Sequence, residues 1–141
     1  MDRRNLFKAL WGLSGLGFLK LISGYLGSTP EGKAPEFEEF DLAAKKNEDP
    51  ICGHQGLAWL LHDQKGFYAL LNRCAHLGCP VRFDPLVPSF SCPCHGSAYN
   101  KKGEVIKGPA ARPLKRLKLV KTSETRLRAE LGVEVGAGFR L

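Results

Sequence analysis

The sequence predicts a small all-β domain that follows a single apolar N-terminal segment. Apolar and charged side chains alternate in residues 117–120 and 126–129, which is typical of strands that expose one face to water. Apolar residues 58–61 and 67–71 flank a short polar stretch that ends in Gly66, and this pattern indicates a β-hairpin. Since no later stretch has convincing helical periodicity, we expect antiparallel strands throughout the domain.

The apolar N-terminal segment is predicted to form one transmembrane helix within residues 1–26. Its apolar part, residues 9–26, contains one charged residue, Lys20. At 1.5 Å per residue this part reaches about 27 Å, close to the thickness of the hydrocarbon core of a bilayer. Trp11 and Tyr25 lie near its ends, where interfacial aromatic residues are enriched. A cleaved signal peptide is the alternative, and a thin polar face disfavours an amphipathic surface helix.

Residues 3–8 have the sequence Arg-Arg-Asn-Leu-Phe-Lys, which is similar to a twin-arginine export signal with leucine and phenylalanine in swapped order. The alternative is that these are ordinary positive charges retained on the inner side of the membrane. Both interpretations leave the N-terminus in the cytoplasm and the domain on the outer, periplasmic side of the cell membrane. Residues 27–36 contain two prolines and two glycines, which predicts a flexible hinge linker before a head domain at residues 37–141.

The charge of the chain is uneven, and most of its formal +7 lies in the C-terminal half. Residues 74–141 contain twelve basic and five acidic side chains. Nucleic-acid binding is a poor explanation, because no platform of basic and aromatic residues accompanies these charges. Two interpretations stay open, namely solvated lysines and arginines on exposed strand faces, and a docking surface for an acidic partner.

Two short cysteine–histidine boxes carry the chemistry of this sequence. The first box, residues 74–79, is Cys-Ala-His-Leu-Gly-Cys, and the second box, residues 92–97, is Cys-Pro-Cys-His-Gly-Ser. Two thiolates and two imidazoles suit a [2Fe–2S] cluster with cysteines on one iron and histidines on the other, which raises the reduction potential above that of an all-cysteine cluster. The predicted metal ligands are Cys74, His76, Cys92 and His95.

A structural zinc site is the rival interpretation of the same residues, since zinc accepts two cysteines and two histidines. The spacing within the boxes is unusual for a zinc finger, and zinc would leave Cys79 and Cys94 without a role. His54 and His62 lie outside the boxes and are interpreted as ordinary surface histidines.

The boxes resemble those of Rieske iron–sulfur proteins, and most of all those of the Rieske subunits of cytochrome bc and b6f complexes. The resemblance continues through Ser97, Tyr99 and the Gly-Pro-Ala turn at residues 108–110, and it is strong over residues 51–121. It implies an antiparallel Rieske domain with a cluster-binding subdomain that holds one [2Fe–2S] cluster. The iron would be bound by the four ligands named above.

The resemblance also implies roles for residues around the cluster. Cys79 and Cys94 would form a disulfide that ties the two loops together. The Ser97 hydroxyl would donate a hydrogen bond to a bridging sulfide, and the Tyr99 hydroxyl would donate one to a ligand cysteine sulfur. Both bonds favour the more negative, reduced cluster and raise its potential. His95 would be the residue that hydrogen-bonds a quinol.

The function implied by the resemblance is electron transfer in a quinol:cytochrome c oxidoreductase. The chain would accept one electron from a membrane quinol and pass it to a c-type cytochrome, as a carrier within a dimeric complex that contains cytochrome b and c-type subunits. The alternatives are a membrane-tethered Rieske subunit of another oxidoreductase, such as arsenite oxidase, and a Rieske ferredoxin. Low-potential ferredoxins generally lack the cysteine pair of Cys79 and Cys94, so this pair favours the quinol-oxidising class.

Overall fold

The computed structural model describes residues 17–23, 34–44 and 49–141. The chain divides into two compact units, Met1–Ala34 and Pro35–Leu141. Residues 17–23 of the first unit are helical. Among the described residues, no helix is both long and apolar enough to cross a membrane. The predicted anchor, export signal and linker lie largely outside the described residues.

The described part of the second unit contains ten strands and no helix, and all of the strand pairs are antiparallel. The strands are β1 (Phe37–Asp41), β2 (Ile51–Cys52), β3 (Ala58–Asp63), β4 (Gly66–Leu71), β5 (Arg82–Asp84), β6 (Ser89–Ser91), β7 (Ala98–Asn100), β8 (Val105–Lys107), β9 (Arg116–Ser123) and β10 (Arg126–Glu134). They form a base sheet of order β1-β10-β9-β4-β3-β2 and a small sheet of order β5-β6-β7-β8. The all-β prediction is therefore confirmed.

The predicted hairpin is present as β3 and β4, but its strands are longer than the apolar pattern indicated. His62 pairs with Phe67 and Asp63 with Gly66, so the turn contains only residues 64 and 65. Backbone pairing does not require apolar side chains, and the exposed end of the hairpin tolerates the polar ones. Gly66 has φ of 123°, a value that side-chain-bearing residues rarely adopt.

The alternation expected in the C-terminal hairpin is present in β9 and β10. Their apolar side chains face the core of the base sheet, where Leu117, Leu119, Leu127 and Ala129 are buried. These residues pack in one cluster with Phe40 and with other apolar residues of the base sheet. Burial of each leucine contributes about 1.5–3 kcal/mol, so this hairpin is a main source of the stability of the sheet.

The two outer strands of the base sheet, β1 and β2, are brought together by a buried carboxylate. Glu38 of β1 is 0% exposed, and its two carboxylate oxygens accept hydrogen bonds of 2.7 Å from the backbone N–H groups of Gln55 and Leu57. The backbone N–H of His54 also donates to the carbonyl of Glu39, at 3.4 Å. A Cβ at Gly53 would overlap the Glu38 side chain, so only glycine allows this approach. The base sheet is thus nearly closed.

The small sheet positions the second box at one of its ends. Residues 92–97 connect β6 to β7 directly beyond the pair of Ser91 and Ala98. The β5–β6 and β7–β8 turns, residues 85–88 and 101–104, lie at the other end. Tyr99 and Phe90 are fully buried beneath the sheet, in a cluster that also includes both cysteines predicted as ligands.

Replacing Glu38 by glutamine should destabilise the domain although it removes only one charge. The amide NH2 cannot accept the second backbone hydrogen bond, which leaves a buried donor unsatisfied. We expect the free energy of unfolding to fall by about 2–3 kcal/mol, measured by denaturant titration. The control is Glu39→Gln, which removes the same charge from an exposed ion pair with Arg128 and should cost less than about 1 kcal/mol. Equal costs for the two variants would contradict the role of Glu38.

Candidate metal centre

The first box is a tight loop that two backbone hydrogen bonds close. The N–H of Cys74 donates to the carbonyl of Cys79 at 2.7 Å, and the N–H of Gly78 donates to the carbonyl of Cys74 at 2.9 Å. Gly78 has φ of 78°, in the left-handed region that favours glycine. The loop therefore turns back on itself within six residues and leaves His76 and Leu77 exposed at its outer end.

The second box repeats the same backbone arrangement. The N–H of Cys92 donates to the carbonyl of Ser97 at 2.8 Å, and the N–H of Gly96 donates to the carbonyl of Cys92 at 3.0 Å. Gly96 has φ of 74°. Each loop thus begins with a buried cysteine and carries an exposed histidine at its outer end. One residue separates the cysteine from the histidine in the first box, and two residues separate them in the second.

A disulfide between Cys79 and Cys94 joins the two loops, with 6.7 Å between the Cα atoms and a sequence separation of 15 residues. The disulfide implied by the resemblance to Rieske proteins is therefore present. The Cys92 sulfur lies within 4.8 Å of both disulfide sulfurs, but the two bonded sulfurs are no longer thiolates and do not compete as ligands. Closing a loop of this length stabilises the folded state by about 3 kcal/mol.

The four residues predicted as ligands converge at the joined loops. Cys74 and Cys92 are 3% and 2% exposed, so their sulfurs lie inside. His76 and His95 are exposed, and their ring centroids are 5.0 Å apart in an edge-to-face arrangement. Two buried sulfurs behind two outer imidazoles fit a [2Fe–2S] group that has cysteines on its inner iron and histidines on its outer iron.

Tyr99 lies against the first of these sulfurs. Its hydroxyl oxygen is 3.1 Å from Cys74 Sγ and accepts a hydrogen bond of 3.1 Å from the backbone N–H of Ala75. Burial and the neighbouring Cys74 raise the pKa of Tyr99 to about 12, so the hydroxyl keeps its proton at neutral pH. Because the N–H of Ala75 already donates to the oxygen, the hydroxyl hydrogen is available for the sulfur. Tyr99 can thus donate to Cys74, and it is the necessary donor when the sulfur is a thiolate, which has no hydrogen of its own.

The surroundings of Cys74 favour its thiolate form. Burial raises the pKa of Cys74, but hydrogen bonds from Tyr99, the backbone at His76, Cys92 and Ser97 outweigh it, so that the pKa is lowered overall. The thiolate is the form of cysteine that binds metals. This electrostatic arrangement agrees with a ligand role for Cys74.

Ser97 connects the second box to the proline-containing loop at residues 108–114. The hydroxyl oxygen of Ser97 accepts a buried hydrogen bond of 3.0 Å from the backbone N–H of Ala110. Because the N–H is the donor in this bond, the hydroxyl keeps its own hydrogen for an acceptor, which is Cys74 in this structure. Its predicted acceptor, a bridging sulfide, stays a prediction.

Asn72 supports the first box and was not singled out from the sequence. Its side-chain carbonyl accepts a hydrogen bond of 2.8 Å from the N–H of Val81, and its NH2 donates to the carbonyl of Gly56 at 2.9 Å. One side chain therefore holds the second residue after the first box and anchors it to the loop that Glu38 also holds. An asparagine two residues before a ligand loop was the only signal available, and it does not identify partners so distant in sequence.

His54 and His62 are exposed, as expected.

An all-β head that brings two cysteine–histidine loops together defines an iron–sulfur protein with mixed ligation. Residues 35–121 match the family described as Rieske [2Fe-2S] domain. The chain belongs to this Rieske family, and it holds a single [2Fe–2S] cluster.

The chain is similar to several known proteins. It is 52% identical over 46 residues to the cytochrome b6-f complex iron-sulfur subunit 2 of Trichormus variabilis, a match that covers 33% of this chain and 26% of the relative. It is 39% identical over 99 residues to the cytochrome b6-f complex iron-sulfur subunit of Gloeobacter violaceus, covering 64% of this chain and 53% of the relative. The matches therefore span about a quarter to a half of the length of these relatives.

Among solved structures, the chain is similar to one described as "Hyperthermophilic respiratory Complex III". The sequence identity is 26% and the TM-score is 0.49, with 89% of this chain and 99% of the other chain covered.

Replacing Tyr99 by phenylalanine should lower the reduction potential while the cluster remains assembled. The change removes the hydroxyl that donates to Cys74. Because this hydrogen bond stabilises the more negative, reduced state, its loss makes reduction less favourable. A difference of about 1.4 kcal/mol between the two redox states corresponds to about 59 mV for one electron, which sets the expected fall in protein-film voltammetry.

The matched control is Tyr68→Phe. Tyr68 is equally buried, but its hydroxyl donates to the carbonyl of Lys101 rather than to a box residue. The potential of this variant should equal that of the unmodified protein. An unchanged potential in Tyr99→Phe, with an intact electron paramagnetic resonance signal, would rule out the assigned donor.

Proposed function

We propose that the chain is the electron-transfer subunit of a quinol:cytochrome c oxidoreductase of the bc or b6f type. In this role it accepts one electron from a membrane quinol and passes it to a c-type cytochrome. The observation that carries the proposal is the pair of exposed imidazoles, His76 and His95, on two loops joined by a disulfide. The similarity to b6-f iron-sulfur subunits supports it. By itself the chain is an electron carrier, and the enzyme is the assembled complex.

The ligand roles follow from burial. Cys74 and Cys92 hold the inner iron, whereas His76 and His95 hold the outer iron at the surface. When bound, a cluster of this ligation supplies a one-electron acceptor with a raised potential. The disulfide between Cys79 and Cys94 keeps the loops together and also favours an oxidising compartment.

The outer end of the boxes suits a quinol site. His95 is exposed, so its imidazole can hydrogen-bond the quinol hydroxyl and receive its proton. Leu77 lies next to His76 and is 68% exposed, so a large apolar side chain stands beside the exposed imidazole. Its side chain provides an apolar contact with the partner subunit that forms the rest of the quinol pocket.

The cellular setting follows from the N-terminal sequence. Residues 1–26 act as a single-pass anchor in the lipid bilayer of the cell membrane, with residues 3–8 as a twin-arginine-like signal. The N-terminus then lies in the cytoplasm and the head, residues 37–141, on the outer side. The partners are cytochrome b and c-type subunits in a dimeric complex, and no nucleic acid is involved.

Replacing Leu77 by aspartate should slow quinol-driven reduction of the acceptor haem in membranes by at least about tenfold, while the cluster potential stays nearly constant. An aspartate at the apolar contact must be buried when the head docks, and the free-energy cost of burying its charge weakens docking. This cost exceeds the roughly 1.4 kcal/mol that corresponds to a tenfold change in rate. The measurement is stopped-flow spectroscopy of the haem in membranes that contain the complex.

The control is Leu86→Asp. Leu86 is 90% exposed, but it lies in the β5–β6 turn at the opposite end of the small sheet. This variant should retain full activity. The absence of quinol-driven haem reduction in the unmodified complex would overturn the proposed function, and equal activity of the two variants would remove Leu77 from the docking surface.

The linker, residues 27–36, lets the head move between the quinol and the acceptor. Fully extended, ten residues reach roughly 33–36 Å. Replacing Glu31, Gly32 and Lys33 with three prolines should slow reduction of the acceptor haem without changing the cluster potential, because the stiffer chain restricts the head and leaves the boxes untouched. A Ser-Gly-Ser replacement of the same residues is the flexible control and should retain activity. Full turnover in the proline variant would contradict this hinge.

A further inference from the structure

A groove of about 590 Å³ lies beside the first box, away from the histidines. It is bordered by residues 71–78 on one side, by residues 112–115 on another and by the end of β10 on the third. Neither His76 nor Leu77 is among its lining residues. The groove is therefore distinct from the histidine end of the boxes, although Cys74, Ala75 and Gly78 of the first box contribute to its lining.

The groove exists because the pairing of β10 with β9 is interrupted. Glu130 pairs with Lys118, but the next paired residue is Glu134, opposite Leu117. The three residues in between are left out of the ladder, and this bulge opens the surface beside the first box. A Cβ added to Gly132 would meet nothing within 4 Å, so the space above this glycine is open.

The rim of the groove is positively charged. Arg73, Arg112 and Lys115 line it together with one acidic residue, Glu134. Lys115 Nζ forms an ion pair of 3.0 Å with the Glu134 carboxylate. Within the described residues, Arg73 and Arg112 are exposed and have no carboxylate partner in any ion pair. The groove thus presents two guanidinium groups that form no ion pair with an acid of the described residues.

The floor between these charges is apolar and half-buried. Leu71 and Leu131 contribute side chains, and exposed Pro113 closes one wall. A small anion gains little here, because the guanidinium groups stand in water on an open rim. A flat bilayer surface does not enter a concave site. An extended peptide that carries carboxylates and an apolar residue matches both the charge and the floor.

We propose that this basic groove docks an acidic segment of a partner protein. The inference does not rest on the proposed function, since Arg73 and Arg112, the two residues that carry it, neither bind the cluster nor face the quinol, although the predicted ligand Cys74 also lines the groove. Arg73 and Arg112 lie 39 residues apart in the sequence, and the fold brings them to one site.

The test uses the cluster-loaded full chain in detergent and a fluorescein-labelled peptide of sequence Glu-Glu-Leu-Asp-Glu-Leu-Glu, with fluorescence anisotropy as the measurement. The peptide should bind at low ionic strength and weaken as salt is added, because salt screens charges on an open rim. Gly132→Trp should fill the groove without adding charge and weaken binding at least tenfold. The matched control is Gly136→Trp, another open glycine outside the groove, which should bind as the unmodified chain does.

Charge reversal provides the second arm. Arg73→Glu should weaken binding at least tenfold. Lys65→Glu alters net charge equally, but Lys65 lies in the turn at the far end of the β3–β4 hairpin, so its effect should stay below about twofold. Unchanged binding in Gly132→Trp, equal losses in the two charge variants, or displacement of the peptide by millimolar inorganic phosphate would each overturn the proposal. The first result would place the peptide elsewhere, the second would indicate net charge alone, and the third would indicate a small-anion site.

Discussion

Two cysteine sulfurs from separate parts of the chain must be held side by side in a dry environment, and the other features of the head follow from this constraint. Cys74 follows a strand of the base sheet, whereas Cys92 begins a hairpin loop of the small sheet. The disulfide joins the loops through neighbouring residues, and Tyr99 joins β7 to Cys74 from below. Each link fixes one loop against the other without using a sulfur that is needed for iron.

The cysteine sulfurs are buried and the imidazoles are exposed, so the two sides of the metal centre serve different tasks. The inner side of the centre is enclosed by Tyr99 and Ser97, which are both 0% exposed, so hydrogen bonds to sulfur act in a medium of low dielectric constant. These bonds can therefore tune the potential. The outer side carries exposed His76 and His95, where a partner has access.

The sequence was sufficient to predict the boxes and the alternating strands, because these depend on residue type and spacing over short distances, whereas the disulfide was predicted only from the resemblance to Rieske proteins. It did not indicate β5, β6 and β7, which contain three residues each and are too short for a period to be recognised. Glu38 was also missed, since a glutamate in an alternating strand ordinarily indicates the wet face. It is buried because backbone N–H groups more than fifteen residues away lie opposite it, and only the tertiary fold creates that environment.

The first box is held from two directions, and this leaves both of its faces available. Asn72 anchors its base to the loop that Glu38 positions, while the disulfide anchors its end to the second box. Because these supports lie beneath and beside the loop, neither covers His76 at the outer end or the groove near Arg73. The lining of the basic groove includes neither His76 nor His95, so a contact at the histidine end and a contact in the groove do not compete for the same residues. An acidic segment docked in the groove, as proposed, therefore leaves the histidine end free for its proposed contact with a quinol site.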